Sequence, residues 1–286
     1  YGVNEFDAEI VGLGPGLGVR DDTELSLAGL QNKLLLVATE RGWGRPVGGQ
    51  PSTHILKIDD QRFPGLVSAE AAALRLARGL GLGDLDPQLH QIEGVDCLIV
   101  ARYDRLRAAD GTIGRVHQED SCQALGVMPD AHRGRGKYES SGGPTFAQIA
   151  SLLRRYSADP GDELDRLVRM IAFTMIIGNA DGHGKKLSLL YPAPVMPTLA
   201  PLYDTVPTVL WPRLRTTAAM SVAGETEFIR IGLDAITREA EGWGMPGERA
   251  RSLAVDVVER ALRAASGLGH DQVGELVTGR ATQMLG

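Results

Sequence analysis

The feature that most limits how this chain can fold is a change of hydrophobic period partway along it. Ahead of residue 105 the apolar residues come in short β-type runs: Lys33-Leu-Leu-Leu-Val-Ala-Thr39, His54-Ile-Leu-Lys-Ile58 and Asp96-Cys-Leu-Ile-Val-Ala-Arg102. One Ala-rich helical stretch, Ser68–Arg78, lies between the second and third, with Ser68 as its expected N-cap and Gly79 and Gly81 as its stop. From Pro144 onward the period becomes helical. Helices are expected over Phe146–Tyr156, Glu163–Ile177 and Glu248–Ala265, the last with Leu253, Val257, Val258, Ala261, Leu262 and Ala265 on one face. Strands gathered in one part of a chain and helices in the other make an α+β protein, a small β-rich lobe joined to a larger helical one. A cleft between two such lobes is a favoured ligand site. Met128–Gly143, rich in Gly, Ser, Arg and Asp, is expected to be an exposed and regulatory loop.

At 286 residues the chain has room for about two domains and a core that needs no staples. Its 30 Lys+Arg against 36 Asp+Glu leave a net charge of −6, which argues against binding nucleic acid over a broad surface. Two cysteines, Cys97 and Cys122, cannot build a disulfide framework and fit a reducing compartment. Thr174 interrupts the best apolar run, Ile171–Ile177, so no membrane span is expected. The start, Tyr1-Gly-Val-Asn-Glu5, lacks the basic and apolar regions of a secretory leader, and a cytoplasmic protein is expected. Histidines 54, 90, 117, 132, 183 and 270 show no zinc-ligand spacing, and no G-x-S-x-G motif supports a hydrolase. Glycines 12, 14, 16 and 18 do not make a dinucleotide fingerprint, because position 17 is Leu; a flexible entry segment is expected there. His132-Arg-Gly-Arg-Gly-Lys137 is a small basic patch that reads as a solvated loop, with tRNA or an acidic partner as the functional alternative.

The segment with most chemical content is Ile177-Gly-Asn-Ala-Asp-Gly-His-Gly-Lys-Lys-Leu-Ser188, directly after an apolar helix. Asp181 sits among glycines, where the backbone turns tightly and can expose a carboxylate; Pro201-Leu-Tyr-Asp204 offers a second one downstream. This spacing matches kinase-type phosphoryl transfer, in which one Asp accepts a hydroxyl proton and the other holds Mg²⁺ against the phosphates. The plain alternative is a pair of aspartates capping turns, the commoner fate of Asp beside Gly. Lys57 ends a short apolar strand and could clamp phosphates with Glu70 as its partner, or be a solvated strand-end charge. Ser26-Leu-Ala-Gly-Leu-Gln-Asn-Lys33 offers backbone N–H groups to a phosphate, although general rules read it only as a turn. Taken singly, these residues leave both readings open.

In order, however, they resemble the HipA family of serine/threonine kinase toxins from bacterial toxin–antitoxin modules. Ser26-Leu-Ala-Gly-Leu-Gln31 is similar to the family's phosphate loop, Pro51-Ser-Thr-His-Ile-Leu-Lys57 to its ATP-lysine strand and Ala101-Arg-Tyr-Asp-Arg105 to its hinge. His117-Gln-Glu-Asp-Ser-Cys-Gln-Ala-Leu-Gly126, Lys137-Tyr-Glu139 and Gly142-Gly143 resemble its middle segment. Gly178-Asn-Ala-Asp-Gly-His183 resembles its catalytic loop and Leu202-Tyr-Asp204 its metal-binding Asp. The resemblance implies an α+β, two-lobed protein-kinase-like fold, with the β-rich N-lobe over residues 1–105 and the helical C-lobe over 106–286. It implies ATP and Mg²⁺ as cofactors, Asp181 as general base, Asp204 as metal ligand, and Lys57 as phosphate clamp paired with Glu70. Ala28, Gly29, Leu30, Gln31, Asn32 and Lys33 would wrap the nucleotide. Ala101, Arg102 and Tyr103 would line the adenine pocket, with His183, Lys186 and Tyr203 completing the nucleotide site. Ser26 corresponds to the serine that the family autophosphorylates, where nearly two added negative charges would clash with the phosphates of ATP.

Two residues depart from the family pattern. Its catalytic loop ends in Lys-Asn, the Asn ligating metal, whereas this chain has Lys185-Lys186, and an ammonium cannot coordinate Mg²⁺. Lys186 therefore either replaces one metal charge against the phosphates or cripples transfer. The acidic residue often found at the hinge is Ala101 here. Three functions follow: a toxin kinase acting on a protein serine, with aminoacyl-tRNA synthetases among the family's substrates; a pseudokinase binding nucleotide and an antitoxin; or a small-molecule phosphotransferase. Expected partners are the protein substrate and a HipB-like antitoxin, through which any DNA contact would be indirect. Family members carry a further small N-terminal subdomain, yet the chain begins 25 residues ahead of Ser26. A longer natural chain, or a separate HipS-like protein of a split system, would supply it.

Overall fold

The computed structural model describes residues 33–39, 42–192 and 196–286. The glycine-rich stretch 11–18, Ser26 and the expected phosphate-loop residues Ala28, Gly29, Leu30, Gln31 and Asn32 lie outside the described residues.

Strands β1 (Lys33–Thr39), β2 (Gly42–Gly44), β3 (His54–Ile58), β4 (Gln88–Ile92) and β5 (Val95–Ala101) form one antiparallel sheet in the order β2-β1-β3-β5-β4. Ile55 lies opposite Val100 and Lys57 opposite Leu98, so alternation puts all four on one face. Helix α1 (Leu66–Gly79) covers that face, packing Val67, Ala71 and Leu74 against Leu98 and Val100. Leu36, Leu56, Ile58, Cys97 and Ile99 form a separate apolar cluster. Glu70 shares the helical stripe of Val67, Ala71 and Leu74, so strand and helix periods together bring Glu70 to Lys57.

The helix begins earlier than the sequence suggests, and Ser68 is not its cap. Gly65, with φ 80°, holds the N-cap position, and the Asp59 carboxylate accepts from the N–H groups of Gly65 (2.7 Å) and Val67 (3.1 Å). An acidic side chain reaching across from the end of β3 satisfies the orphan donors, and the Ser68 hydroxyl donates to the Gly65 carbonyl instead.

Beyond the sheet, β6 (Arg105–Arg107) and β7 (Ile113–Arg115) make a hairpin, and β8 (His117–Asp120) pairs with β9 (Ser188–Tyr191), which also pairs with β10 (Thr198–Leu199). Helix α2 (Phe146–Tyr156) has the expected bounds, set by a capping box between Thr145 and Gln148. Helix α3 (Pro160–Ile176) starts three residues before the expected Glu163, because Asp159 caps it and Pro160 fits its first turn. Helices α4 (Leu233–Gly242), α5 (Gly247–Ala264) and α6 (Asp271–Leu285) complete the helical body around the buried α3. No helix among the described residues is long and apolar enough to cross a membrane.

The expectation of an exposed loop over Met128–Gly143 holds only for its first half. Gly136, Lys137, Tyr138 and Gly143 are buried. A Cβ on Gly143 would sit 2.6 Å from the Tyr138 carbonyl, so this glycine permits close backbone approach rather than mobility. Lys137 is accordingly part of the interior and not of a solvated basic patch.

Candidate active site

The loop after α3 is built to hold one carboxylate still. At Gly178 the chain turns with φ 62°, and a Cβ there would strike Val209. The Thr208 hydroxyl donates to the Gly178 carbonyl (3.2 Å) and accepts from the Ala180 N–H (2.7 Å), while the Asn179 side chain accepts from the Asp181 N–H (3.0 Å). Asp181, 7% exposed, stands on this braced turn.

One oxygen of Asp181 faces the protein. Tyr138 donates its hydroxyl to Oδ1 at 3.0 Å, and His183 Nε2 lies 3.5 Å from the same atom. His183 Nδ1 accepts from the Lys185 N–H (3.3 Å), which assigns the ring proton to Nε2, on the Asp181 side. Its ring meets Tyr138 edge-on at 5.1 Å and has no exposed surface. Burial, reinforced by the charges of Lys186 and Lys137, pushes its pKa well below the usual value and keeps it neutral. Fully buried beside Asp181, His183 has the structural position that the sequence left open as the alternative to a phosphate contact.

The second oxygen faces a cluster of charge. Lys186 Nζ lies 3.6 Å from Asp181 Oδ2 and forms an ion pair with Asp204 Oδ2. Asp204 Oδ1 in turn lies 2.5 Å from Lys57 Nζ, which also pairs with Glu70 Oε1. Burial alone would raise the pKa of Asp204, but Lys186 and Lys57 beside it hold it well below the carboxylate range. The same pairing keeps Lys57 and Lys186 charged in spite of burial that by itself favours their neutral forms. Asp204 has φ 49°, an uncommon backbone for a residue with a side chain, and of a kind found where geometry serves a site. Lys33 stands directly opposite Lys57 across β1 and β3. Like charges so placed repel unless anions lie among them.

Around this cluster, Tyr203 donates to the Lys185 carbonyl (2.7 Å) and shares a 2.6 Å hydrogen bond with the Ser188 hydroxyl. Its ring packs on Tyr103 at 5.1 Å, and Tyr103 donates to Gln118 (2.6 Å), which places Tyr103 at the edge of the cluster. Ala101 ends β5 opposite His54, and Arg102 commits its guanidinium to a two-pronged pair with Asp104 at 2.9 and 2.7 Å. The fold thus gathers Lys33, Lys57, Glu70, Asp181, Lys186 and Asp204 into one place, with Tyr103 and Tyr203 beside it. Tyr138 and Thr208 are the residues that motif reasoning missed. Tyr138 is 43 positions from Asp181 in sequence, and its only signal was the Lys137-Tyr-Glu139 stretch among close-packed glycines.

A family model described as the HipA-like C-terminal domain matches residues 25–265. The chain is 40% identical over 280 residues to "Putative kinase Y4mE" of Sinorhizobium fredii, covering 93% of this chain and 65% of that protein. It is 29% identical over 247 residues to the serine/threonine-protein kinase toxin HipA of Shewanella oneidensis, covering 84% of this chain and 55% of that one. The chain therefore spans less than two thirds of the length of these curated relatives. Among solved structures, HipA of Shewanella oneidensis in complex with HipB and operator DNA superimposes over 100% of this chain and 70% of its own, with a TM-score of 0.82 and 25% identity. The fold is the two-lobed, protein-kinase-like α+β fold, and the chain belongs to the family defined by the HipA-like C-terminal domain.

Proposed function

We propose that this chain is an ATP-dependent serine/threonine kinase of the HipA toxin type. The observation that carries the reading is the continuous run of charge from Glu70 through Lys57, Asp204 and Lys186 to Asp181, joining sheet, helix α1 and the loop after α3 at one place. Lys57, steadied by Glu70, would hold the phosphates; residues 28–33 would wrap them, and Ala101, the Arg102 backbone, Tyr103 and Tyr203 would border the base. We place the lobe boundary near residue 105.

In the transfer step, a substrate hydroxyl gives its proton to Asp181 Oδ2 as its oxygen bonds to the γ-phosphorus. The bond from that phosphorus to the β–γ bridging oxygen breaks, and ADP leaves with the electron pair. Tyr138 holds the far oxygen of Asp181, with neutral His183 packed beside it, so the accepting oxygen keeps its direction. Mg²⁺ typically takes one or two carboxylates together with phosphates and water, and Asp204 suits one such ion, which would neutralise phosphate charge when bound. The donor set goes no further: among the described residues no group of three or more His, Cys, Asp or Glu could hold a metal, and position 186 offers an ammonium in place of an amide oxygen.

The natural substrate class is a protein serine, with an aminoacyl-tRNA synthetase as the family's example. Ser26 is the proposed self-phosphorylation site, and a HipB-like antitoxin, with or without a HipS-like protein, the proposed partner. The relative solved with HipB and operator DNA supports that choice. A second reading, nucleotide binding without turnover, is favoured by the ion pair of Lys186 on Asp204.

Incubation with γ-labelled ATP and Mg²⁺ tests the assignment. Label on Ser26, lost by about a hundredfold or more in Asp181→Asn, is expected. Undiminished labelling in Asp181→Asn would overturn the role of Asp181. Nucleotide binding with no label in the wild type would favour the second reading.

A further inference from the structure

The orientation of two adjacent lysines carries an inference that rests on the nucleotide-binding reading above and deepens it. Lys185 and Lys186 leave the same helical turn, Gly184–Lys186, in different directions. Lys185 Nζ goes to Asp120 at 3.0 Å, and its side chain is 40% exposed. Lys186 turns inward, its side chain only 10% exposed, and sets its ammonium between Asp181 Oδ2 and Asp204 Oδ2. The turn itself is held by the Lys186 N–H on the His183 carbonyl (2.8 Å) and by Tyr203 on the Lys185 carbonyl (2.7 Å). The inward position is therefore set by the backbone and not by a chance rotamer of a surface chain.

A point between those two carboxylates is where a cation gains most, and a compact ammonium on a flexible stem is suited to fill it. The four lysines around the cluster, Lys33, Lys57, Lys137 and Lys186, already outnumber the three carboxylates Glu70, Asp181 and Asp204. A second divalent ion at the same point would meet a positive neighbour and compete with it for Asp204 Oδ2.

We propose that Lys186 is a built-in cation of this site: its ammonium holds the seat that a second divalent ion would need, so the cleft binds a nucleoside triphosphate with one divalent ion per nucleotide. The chain then relies less on metal for nucleotide affinity than a site with an amide at this position would.

The test counts ions rather than turnover. With the whole chain and a saturating non-hydrolysable ATP analogue, bound Mn²⁺ is measured by electron paramagnetic resonance, and analogue affinity is measured again in excess chelator. We expect one Mn²⁺ in the wild type and two in Lys186→Asn. In chelator, Lys186→Met should bind the analogue at least tenfold more weakly than the wild type, with circular dichroism confirming that both variants are folded. Lys186→Met supplies the test should Lys186→Asn fail to fold. Two Mn²⁺ on the wild-type complex, or equal metal-free affinity in the wild type and Lys186→Met, would overturn the inference and leave the kinase reading standing. No analogue binding under either condition would overturn both.

Discussion

Replacing Lys57 by Met keeps most of the side-chain volume and removes the ammonium that Glu70 and Asp204 share. The Glu70 side chain is 1% exposed, Lys57 pairs with its Oε1 and its Oε2 has no hydrogen-bond partner, so the substitution strands a carboxylate away from water. Asp204 keeps Lys186 and suffers less. Breaking a buried pair by removing one partner costs about 3–5 kcal/mol. An unfolding entropy of ~2.1 cal/mol/K per residue over 286 residues gives ~0.6 kcal/mol/K. The melting temperature should therefore fall by about 5–8 °C at neutral pH. Because burial already raises the Glu70 pKa, a stranded Glu70 can escape by taking a proton, and the gap to the wild type should narrow toward pH 5. Adding Glu70→Leu removes the stranded charge and should recover at least half of the loss. Scanning calorimetry on the single and double variants measures each quantity. A shift under ~1 °C in Lys57→Met, or a double variant whose loss equals the sum of the singles, would refute the reasoning.

Other consequences follow from the same geometry. Tyr138→Phe removes the hydroxyl from Asp181 Oδ1 and should lower kcat about 10- to 100-fold with the KM for ATP little changed; an equal fall in ATP affinity would contradict a positioning role. His183 stays neutral when folded but takes up a proton near its ordinary pKa when unfolded, so the unfolded state binds more protons below that point. Stability should therefore drop as pH falls from 7 to 5, and His183→Gln should flatten that part of the melting curve; identical slopes would count against it. Gly184→Ala would press a Cβ to 2.5 Å from Pro144 Cγ and should cost about 1–3 kcal/mol, read in urea unfolding, with no change meaning that the loop relaxes freely.

What the sequence could reveal depended on how local each determinant is. Helix α2 was readable to the residue because Thr145 and Gln148 cap it from within. The start of α1 was not, because its cap is Asp59, on another element. Edge strand β4 hid behind exposed polar residues, and hairpin β6–β7 behind arginines, since neither buries an alternating face. Helix α6 was disguised by Gly274, a poor helix former placed where a Cβ would come within 2.8 Å of the Ala265 carbonyl. In the site, the meeting of Asp181, Asp204 and Lys57 was legible because each sits in a short ordered motif, and that of Glu70 with Lys57 because Glu70 lies on the one helical stretch between the β-type runs. The departure at Lys186 was equally visible, but not its inward course, which depends on the hydrogen bonds that His183 and Tyr203 make with the turn carrying it.

The most direct measurement is a crystal structure of the chain soaked with Mg²⁺ and a non-hydrolysable ATP analogue. Phosphates resting against Lys57, with the metal on Asp204 and the terminal phosphate facing Asp181, are the predicted result. An analogue bound on another surface, leaving those three side chains as they stand now, would contradict the account.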